Sequence, residues 1–551
     1  MPHYDVIIIG GGINGVGIAR EAALQGFKVL LLEQDDICSG VSAWSGRLAH
    51  GGLRYLEHYD FALVRESLVE RERLIKNAPH LAKPISWLMP VYRHNKRGAW
   101  LVELGMLLFD ILSYDKSSPR HKYLSRERTI ERFPRIDQNG LKSGFQYWDG
   151  QVELAERLCV EVAIDAIAHG AEIKIQSKVL SPIIEDSRVI GVRYQDQITG
   201  NTDEAFASIV YNVAGPWIDK VFTKGTVAST QPRLNGGTKG SHLIVEKFDG
   251  APDDVIYYET RSDGRLILVV PWFGKYLIGT TDIRWEGDPG EARCDIGELE
   301  YLLNEVNALI PQAKLTRDDV IYTYSGVRPL PYEPHKPESS VTRTHILFDH
   351  SAHGLAGLIT VVGGKLVTFR QLSEDAVLDL AKRLGSGKIR SRTRKNPLPG
   401  AHFGEKSEIV APLLASGVDQ QVVNRIVDRY GSRATDLWKI AERDPSAGAV
   451  LDASLGLTKA EVLFVIREEF PRTLSDVMAR RLILAFETGH GLSVVGVIAD
   501  IAAAELGWSS AERSAQIKEY ERWLDHLAIP DESGPRSTSF GAGIVQGANQ
   551  Q

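Results

Sequence analysis

YDVIIIGGGINGVGIA, residues 4–19, runs an unbroken apolar stretch into a glycine turn and then into a helical pattern. Tyr4 to Ile9 has the continuous hydrophobicity of a strand covered on both faces, as in a parallel sheet. Gly10, Gly12 and Gly15 fit GxGxxG. These glycines serve a tight turn, close approach of backbone to a pyrophosphate and helix-on-strand packing, and the helix N-terminus adds positive potential. A helix is expected over Ile13–Gln25 and a second apolar strand over Lys28–Glu33. Glu33 ends that strand 23 residues after Gly10, where a carboxylate accepts hydrogen bonds from an adenosine ribose.

The fingerprint fits NAD and FAD alike; later segments separate them. VGGK, Val362–Lys365, is a second strand-to-helix glycine turn. Such a late turn sets a helix N-terminus at a flavin pyrimidine, stabilising the reduced anionic ring. NVAGPW, Asn212–Trp217, ends a strand in small residues that leave room for a cofactor. An NAD-only enzyme has no need of such dispersed pieces, so FAD is the expected cofactor. Its contacts are expected at Gly10, Gly12, Asn14, Gly15 and Glu33, then at Ser45 and Arg47. Further contacts are expected at Val179, Ala214 and Gly215, and at Gly364, Lys365 and Leu366.

Four glycine-flanked places offer polar groups for an anionic substrate. HGGLRYLEHY, residues 50–59, brings Arg54 and Tyr55; KGSH brings His242; SGVRPLP brings Arg328; GGK brings Lys365. Glycine admits close backbone approach, and arginine grips a phosphate or carboxylate with two parallel hydrogen bonds.

At 551 residues the chain exceeds what one hydrophobic core serves, so several domains are expected. A net charge of -7 argues against a nucleic-acid partner. Cys38, Cys159 and Cys294 are widely spaced and form no CxxC pair, so no metal or redox dithiol is expected and a reducing cytoplasm is favoured. The N-terminal apolar run leads straight into the glycine turn, a strand pattern rather than a signal peptide. No segment reaches the roughly 18–20 apolar residues of a membrane span. WLVELGMLLFDILSY, residues 100–114, comes nearest, broken by Glu103 and Asp110 and preceded by Arg93, His94, Lys96 and Arg97. Two readings stand: a helix lying on an anionic membrane surface, at the inner face of the plasma membrane, or a buried helix of the substrate domain.

The expected fold class is α/β: a Rossmann-like FAD-binding domain with an interleaved antiparallel substrate-capping sheet, plus an all-α C-terminal domain. The oxidoreductase domain spans 1–390, with FAD-binding segments at about 1–80, 150–225 and 340–385 and cap segments at about 81–149 and 226–339. Residues 85–148 show no clear period, and 232–330 reads as strands in succession. KIRSRTRKNPLPG, residues 388–400, reads as a linker. Residues 401–530 form the helical domain, in which Thr458 and Glu461 have capping-box spacing. A disordered tail is expected over 531–551.

GGGINGVGIA, HGGLRYLEHYDF, NVAGPW, KGSH, IGTTD, YSGVRPL and VGGKLVTFR, in this order, resemble the FAD-dependent glycerol-3-phosphate dehydrogenase and oxidase family. LPG (398–400), RYGSRA (429–434) and AEVLFVIREEF…TLSDVMARR extend the resemblance to roughly residues 3–525. It implies hydride transfer from C2 of sn-glycerol 3-phosphate to flavin N5, giving dihydroxyacetone phosphate, with quinone or oxygen taking the electrons. On this chain Arg328 and Lys365 would bind the phosphate, and Arg54 would orient the reacting end with Tyr55 beside it. Either His50 or His242 would accept the hydroxyl proton, histidine being the commonest group poised near neutral pH. A homodimer with peripheral membrane contact is expected.

Two positions leave the family pattern. Ser-Ser-Lys before the HGG stretch is here Ser45, Gly46, Arg47, with Trp44 upstream, and Asp-Ala-Arg is here Leu154, Ala155, Glu156. Arginine is not a neutral replacement for lysine in a packed site. These departures keep two alternatives open: a same-fold flavoenzyme for another phosphorylated or phosphonylated polyol such as a tetritol phosphate, with oxygen as an alternative acceptor, and a flavin-binding module without catalysis.

Overall fold

The computed structural model describes residues 3–115, 117–222, 232–336, 341–531 and 534–535. Its first sheet grows from the strand His3–Ile9, flanked in parallel by Val29–Leu32 and Thr202–Asn212. Glu172–Lys174 extends one edge in parallel and Leu358–Val362 the other, with Ile346–Asp349 antiparallel beyond it. The hairpin Ser177–Glu185/Arg188–Asp196 pairs with the first half of Thr202–Asn212. Ile9 pairs with Leu32 on one side and Asn212 on the other. Three strands therefore end level, and the residues after them, Gly10, Glu33 and Val213, meet at the carboxyl edge, where open α/β sheets bind ligands. Helices Ile13–Leu24, Ala155–Ala168 and Phe369–Arg383 pack against this sheet around a core that includes Val6, Ile8, Leu31, Leu158 and Leu372.

The second sheet has ten strands drawn from three stretches of chain, including Ala82–Tyr92, Leu141–Val152, Thr238–Val245 and Val320–Arg328. Its pairings are antiparallel except for Val255–Glu259 alongside Ala82–Tyr92. The strand Leu48–Ala49 joins it to Leu141–Val152, so the stretch before HGG belongs to this sheet while the glycine turn belongs to the first. The strand-rich expectation for 232–330 holds for its sheet but does not include the helix Ile296–Leu309. Asp295 and Glu298 form a reciprocal capping box at its start, a signal the sequence carries.

The C-terminal helices, among them Gln420–Tyr430, Lys459–Glu468 and Ser510–Trp523, share one continuous core with the second sheet, Ile426, Leu463 and Phe486 packing with Trp272 and Tyr322. Thr458 accepts the Glu461 amide hydrogen bond, but the Glu461 carboxylate turns to Arg425 and Tyr430 instead of closing the box. The linker is docked along its length: Glu21 accepts from the amides of Arg392 and Thr393, each at 3.1 Å, and Leu398 N donates to Asn77 O. Pro530–Asp531 pairs antiparallel with Gly534–Pro535; the rest of the expected disordered tail lies outside the described residues.

The helix Ala99–Leu112 corrects the buried-helix reading. Val102, Met106 and Phe109 face the core, but Leu104, Leu107 and Ile111 do not, and Trp100 and Tyr114 are 74% and 80% exposed. Exposed Tyr59, Phe61 and Tyr123 add to the molecule's surface aromatics. No helix among the described residues is long and apolar enough to cross a membrane.

Candidate functional site

A single cavity of about 1520 Å³ runs from the carboxyl edge of the first sheet to the face of the second. Gly10, Gly12, Asn14 and Glu33 line one end, and Val179, Ala214 and Gly215 line its side. A Cβ on Gly15 would stand 1.9 Å from Gly10 O, so the helix can approach the turn only with glycine there. Glu33 accepts from Gly11 N at 2.6 Å and Asp35 N at 2.9 Å. Burial, followed by the charge of Asp35, pushes its carboxyl up to about 7. The Asn14 side-chain oxygen is buried without a hydrogen-bond partner, close to Gly364. A glycine cradle, a ribose-facing carboxylate and an orphaned polar atom fit the adenosine and pyrophosphate of the expected FAD.

The other end is cationic. Gly51 N donates to both oxygens of Asp149, which also accepts from Arg71, anchoring the HGG stretch to the strand Leu141–Val152. Gly52 then takes φ 77°, a left-handed conformation that favours glycine, and the chain enters the 3-10 turn Leu53–His58 carrying Arg54 and Tyr55. Lys365 Nζ sits 4.0 Å from the Tyr55 ring centre and donates to Ser67 Oγ at 3.0 Å. Arg328, from the end of the strand Val320–Arg328, contacts Asp282 at 3.0 Å and Thr280 Oγ1 at 3.1 Å. Arg343 Nη2 lies 4.0 Å from the same Asp282 carboxylate. Burial raises the Asp282 carboxyl, but Arg328 and Arg343, helped by Thr238, outweigh it and hold it below its usual range. Arg54, Arg328, Arg343 and Lys365 thus converge on one stretch of wall, with Asp282 the counter-charge shared by Arg328 and Arg343.

Both histidines line this cavity. Burial, reinforced by Lys365 and opposed by Asp149, lowers His50 to about 4. Burial, then Arg328 and Arg47, lowers His242 to about 3. Each is therefore a neutral imidazole at pH 7 that can accept a proton, but a weaker base than the near-neutral histidine expected from the sequence. His242 Nδ1 is buried with no hydrogen-bond partner, and the ring lies 5.0 Å from that of Tyr324. Burial drives Lys365 down to about 7, with Arg343 acting in the same direction against Glu66 and Asp60.

Among the residues expected from the sequence, Arg47 is a correction. It lies behind the wall rather than on it: its guanidinium is wholly buried, 2.5 Å from Glu156 and within about 5 Å of the Trp272 and Phe486 rings. Gly15 likewise shapes the turn without lining the cavity. Ser45, Gly364, Lys365 and Leu366 do line it. Among the wall residues without an assignment from the sequence are Arg343, Asp282 and His526. Arg343 stands in VTRTH with no glycine or motif beside it; Asp282 ends IGTTD, which carried a signal; His526 arrives from the helical domain.

Comparison with known proteins agrees with this architecture. The profile of the FAD dependent oxidoreductase family matches residues 5–370, and that of the C-terminal domain of alpha-glycerophosphate oxidase matches 391–513. A glycerol-3-phosphate dehydrogenase of Synechocystis sp. is 42% identical over 96% of this chain and 97% of its own length. A D-erythritol 1-phosphate dehydrogenase of Brucella abortus is 38% identical over 87% of this chain and 93% of its own length. The crystal structure of glycerol-3-phosphate dehydrogenase from Bacillus halodurans complexed with FAD superimposes with a TM-score of 0.77 at 27% identity, covering 96% of this chain and 95% of that one.

Proposed function

The chain belongs to the FAD-dependent glycerol-3-phosphate dehydrogenase family, and from that premise we propose that its cavity oxidises C2 of sn-glycerol 3-phosphate to give dihydroxyacetone phosphate. The observation that carries this reading is the convergence of Arg54, Arg328, Arg343 and Lys365 at one end of a cavity whose other end has the glycine turn. Bound FAD supplies the hydride acceptor, N5 of its ring. Arg328 and Arg343 grip the phosphate as fixed, bidentate donors, and Asp282 keeps both guanidiniums oriented between turnovers. Lys365 adds a third charge, and Tyr55, flanked by these cations, closes the wall. Arg54 orients the polyol end. A neutral imidazole, His50 or His242, takes the hydroxyl proton as hydride leaves C2. Replacing the true base by alanine lowers kcat by about 10²–10⁴ with FAD retained, whereas replacing the other acts mainly on KM.

The electron acceptor fits a membrane quinone. The exposed apolar face of Ala99–Leu112 carries Trp100, Leu104, Leu107 and Ile111, with exposed Arg93 and Lys96 just upstream, while Arg97 is paired with Glu57 and Glu259. That composition suits insertion to headgroup depth on an anionic bilayer at the cytoplasmic face.

A second reading keeps the chemistry and lengthens the substrate to a tetritol phosphate, favoured by the Brucella relative. Turnover with a dye acceptor on glycerol 3-phosphate and D-erythritol 1-phosphate tests both. The first reading requires a higher kcat/KM for glycerol 3-phosphate; absence of turnover with it, alongside turnover of the tetritol, overturns that assignment.

A further inference from the structure

The reaction uses residues of the two sheets, yet the helical domain also reaches the cavity wall. At the adenosine end the wall is the loop after the second strand, where Glu33, Gln34, Asp35, Ser39 and Ser42 face the cavity. Its inner side is tied to the glycine turn: Gly11 N donates to Glu33 at 2.6 Å, Cys38 N to Gly11 O at 3.0 Å, and Ile13 N to Ser42 Oγ at 3.1 Å. Its outer side is held by the helical domain. The wholly buried Asp36 carboxylate accepts from Arg480 Nε at 2.7 Å and from Arg481. Asp476 steadies Arg480 at 3.2 Å, and Arg481 donates to Glu469 O at 3.1 Å. Both arginines lie on the π-helical turn Asp476–Arg481, a widened geometry that recurs at functional sites. Nearby, Arg472 pairs at 2.6 Å with Asp196, which stands between the wall residues Gln195 and Gln197.

The electrostatics make this contact consequential. Glu33, Asp35, Asp36 and Asp476 crowd together, and each of the first two is pushed up by burial and by acidic neighbours. Burial also raises Asp36, but Arg481 and Arg480 outweigh it and keep the carboxylate ionised. Without the two guanidiniums, a buried acidic loop would be driven outward, away from the turn it must face.

We propose that the helical domain is a positioning element of the cofactor site: Arg480 and Arg481, acting through Asp36, hold the Glu33 loop against the glycine turn. Affinity for the adenosine half of FAD therefore depends on the docking of this domain. The discriminating probe is FMN, which lacks that half. Full-length apoprotein is titrated with FAD and with FMN by flavin fluorescence, in wild type and in Arg480→Ala, Asp36→Asn, Arg480→Lys and Arg472→Ala. Arg480→Ala and Asp36→Asn should raise the Kd for FAD at least about tenfold while the Kd for FMN stays within about twofold, and Arg480→Lys should recover most of the loss. Arg472→Ala breaks a partly exposed pair and spares the buried one, so it covers the case of a variant that does not fold. It should weaken FAD binding about two- to fivefold with FMN unchanged. Equal losses for both flavins, or unchanged FAD affinity in folded variants, would overturn the proposal.

Discussion

Arg47 Nη1 and Glu156 Oε2 lie 2.5 Å apart with neither side chain open to solvent, beneath a roof of Trp272, Tyr324 and Phe486 rings. Each residue belongs to one of the two stretches expected to leave the family's pattern, and the contact joins those stretches in the fold. Either charge alone would be buried without a partner. Glu156→Leu or Arg47→Met alone should cost about 3–5 kcal/mol of stability, and the joint change Arg47→Met/Glu156→Leu distinctly less. Chemical denaturation of the four proteins measures the coupling; additive losses would show that the pair is not a unit.

Arg343 should matter as much as Arg328. A guanidinium–phosphate hydrogen bond contributes about 1.5–3 kcal/mol, so Arg343→Ala should raise the KM for glycerol 3-phosphate roughly 10- to 100-fold. Bound FAD should be retained, because the residue lies at the cationic end of the cavity. Steady-state kinetics checks the first expectation and the flavin absorbance of the purified variant the second.

Lys365, lowered to about 7 by burial, gives substrate binding a pH dependence with a definite sign. A phosphate dianion binds the ammonium form, so binding requires a proton that the free protein loses as pH rises through 7. Affinity should be flat between about pH 6 and 7, then fall by up to tenfold per unit above it. Lys365→Arg stays charged and should flatten the profile. KM measured from pH 6 to 9 decides the point; an unchanged slope in the arginine variant would exclude Lys365 as the titrating group.

Leu104→Glu and Ile111→Glu place charges on the exposed face of Ala99–Leu112. Co-sedimentation with anionic vesicles should be lost, and quinone-linked turnover with it, while turnover with a soluble dye stays within about twofold. Retained sedimentation would move the membrane contact elsewhere.

Much of this was readable from local chemistry. The glycine turn and its strand and helix follow from apolar continuity and GxGxxG, and HGGLRY, SGVR and GGK announce cations beside glycine. What escaped depends on tertiary assembly. Arg343 and His526 have no local signature, and each reaches the wall only because distant segments fold together. His526 stacks on Trp44 at 6.0 Å and 5° between planes, a contact across some 480 residues of sequence. Arg47 failed as a cavity residue for the same reason: its partner, Glu156, lies on the helix Ala155–Ala168, and that pairing turns the guanidinium inward. The helix Ala99–Leu112 was recognised, but hydrophobicity alone does not say which apolar face stays uncovered.

Anaerobic rapid mixing with glycerol 3-phosphate tests the central claim most directly, comparing the wild-type holoenzyme with Arg328→Ala and Lys365→Ala. Wild type should bleach its flavin absorbance with saturation in substrate. Both variants should carry FAD yet need at least about tenfold more substrate for half-maximal rate. Equal reduction at equal substrate in all three proteins would contradict the phosphate clamp, and no bleaching in wild type by any polyol phosphate would contradict the oxidation itself.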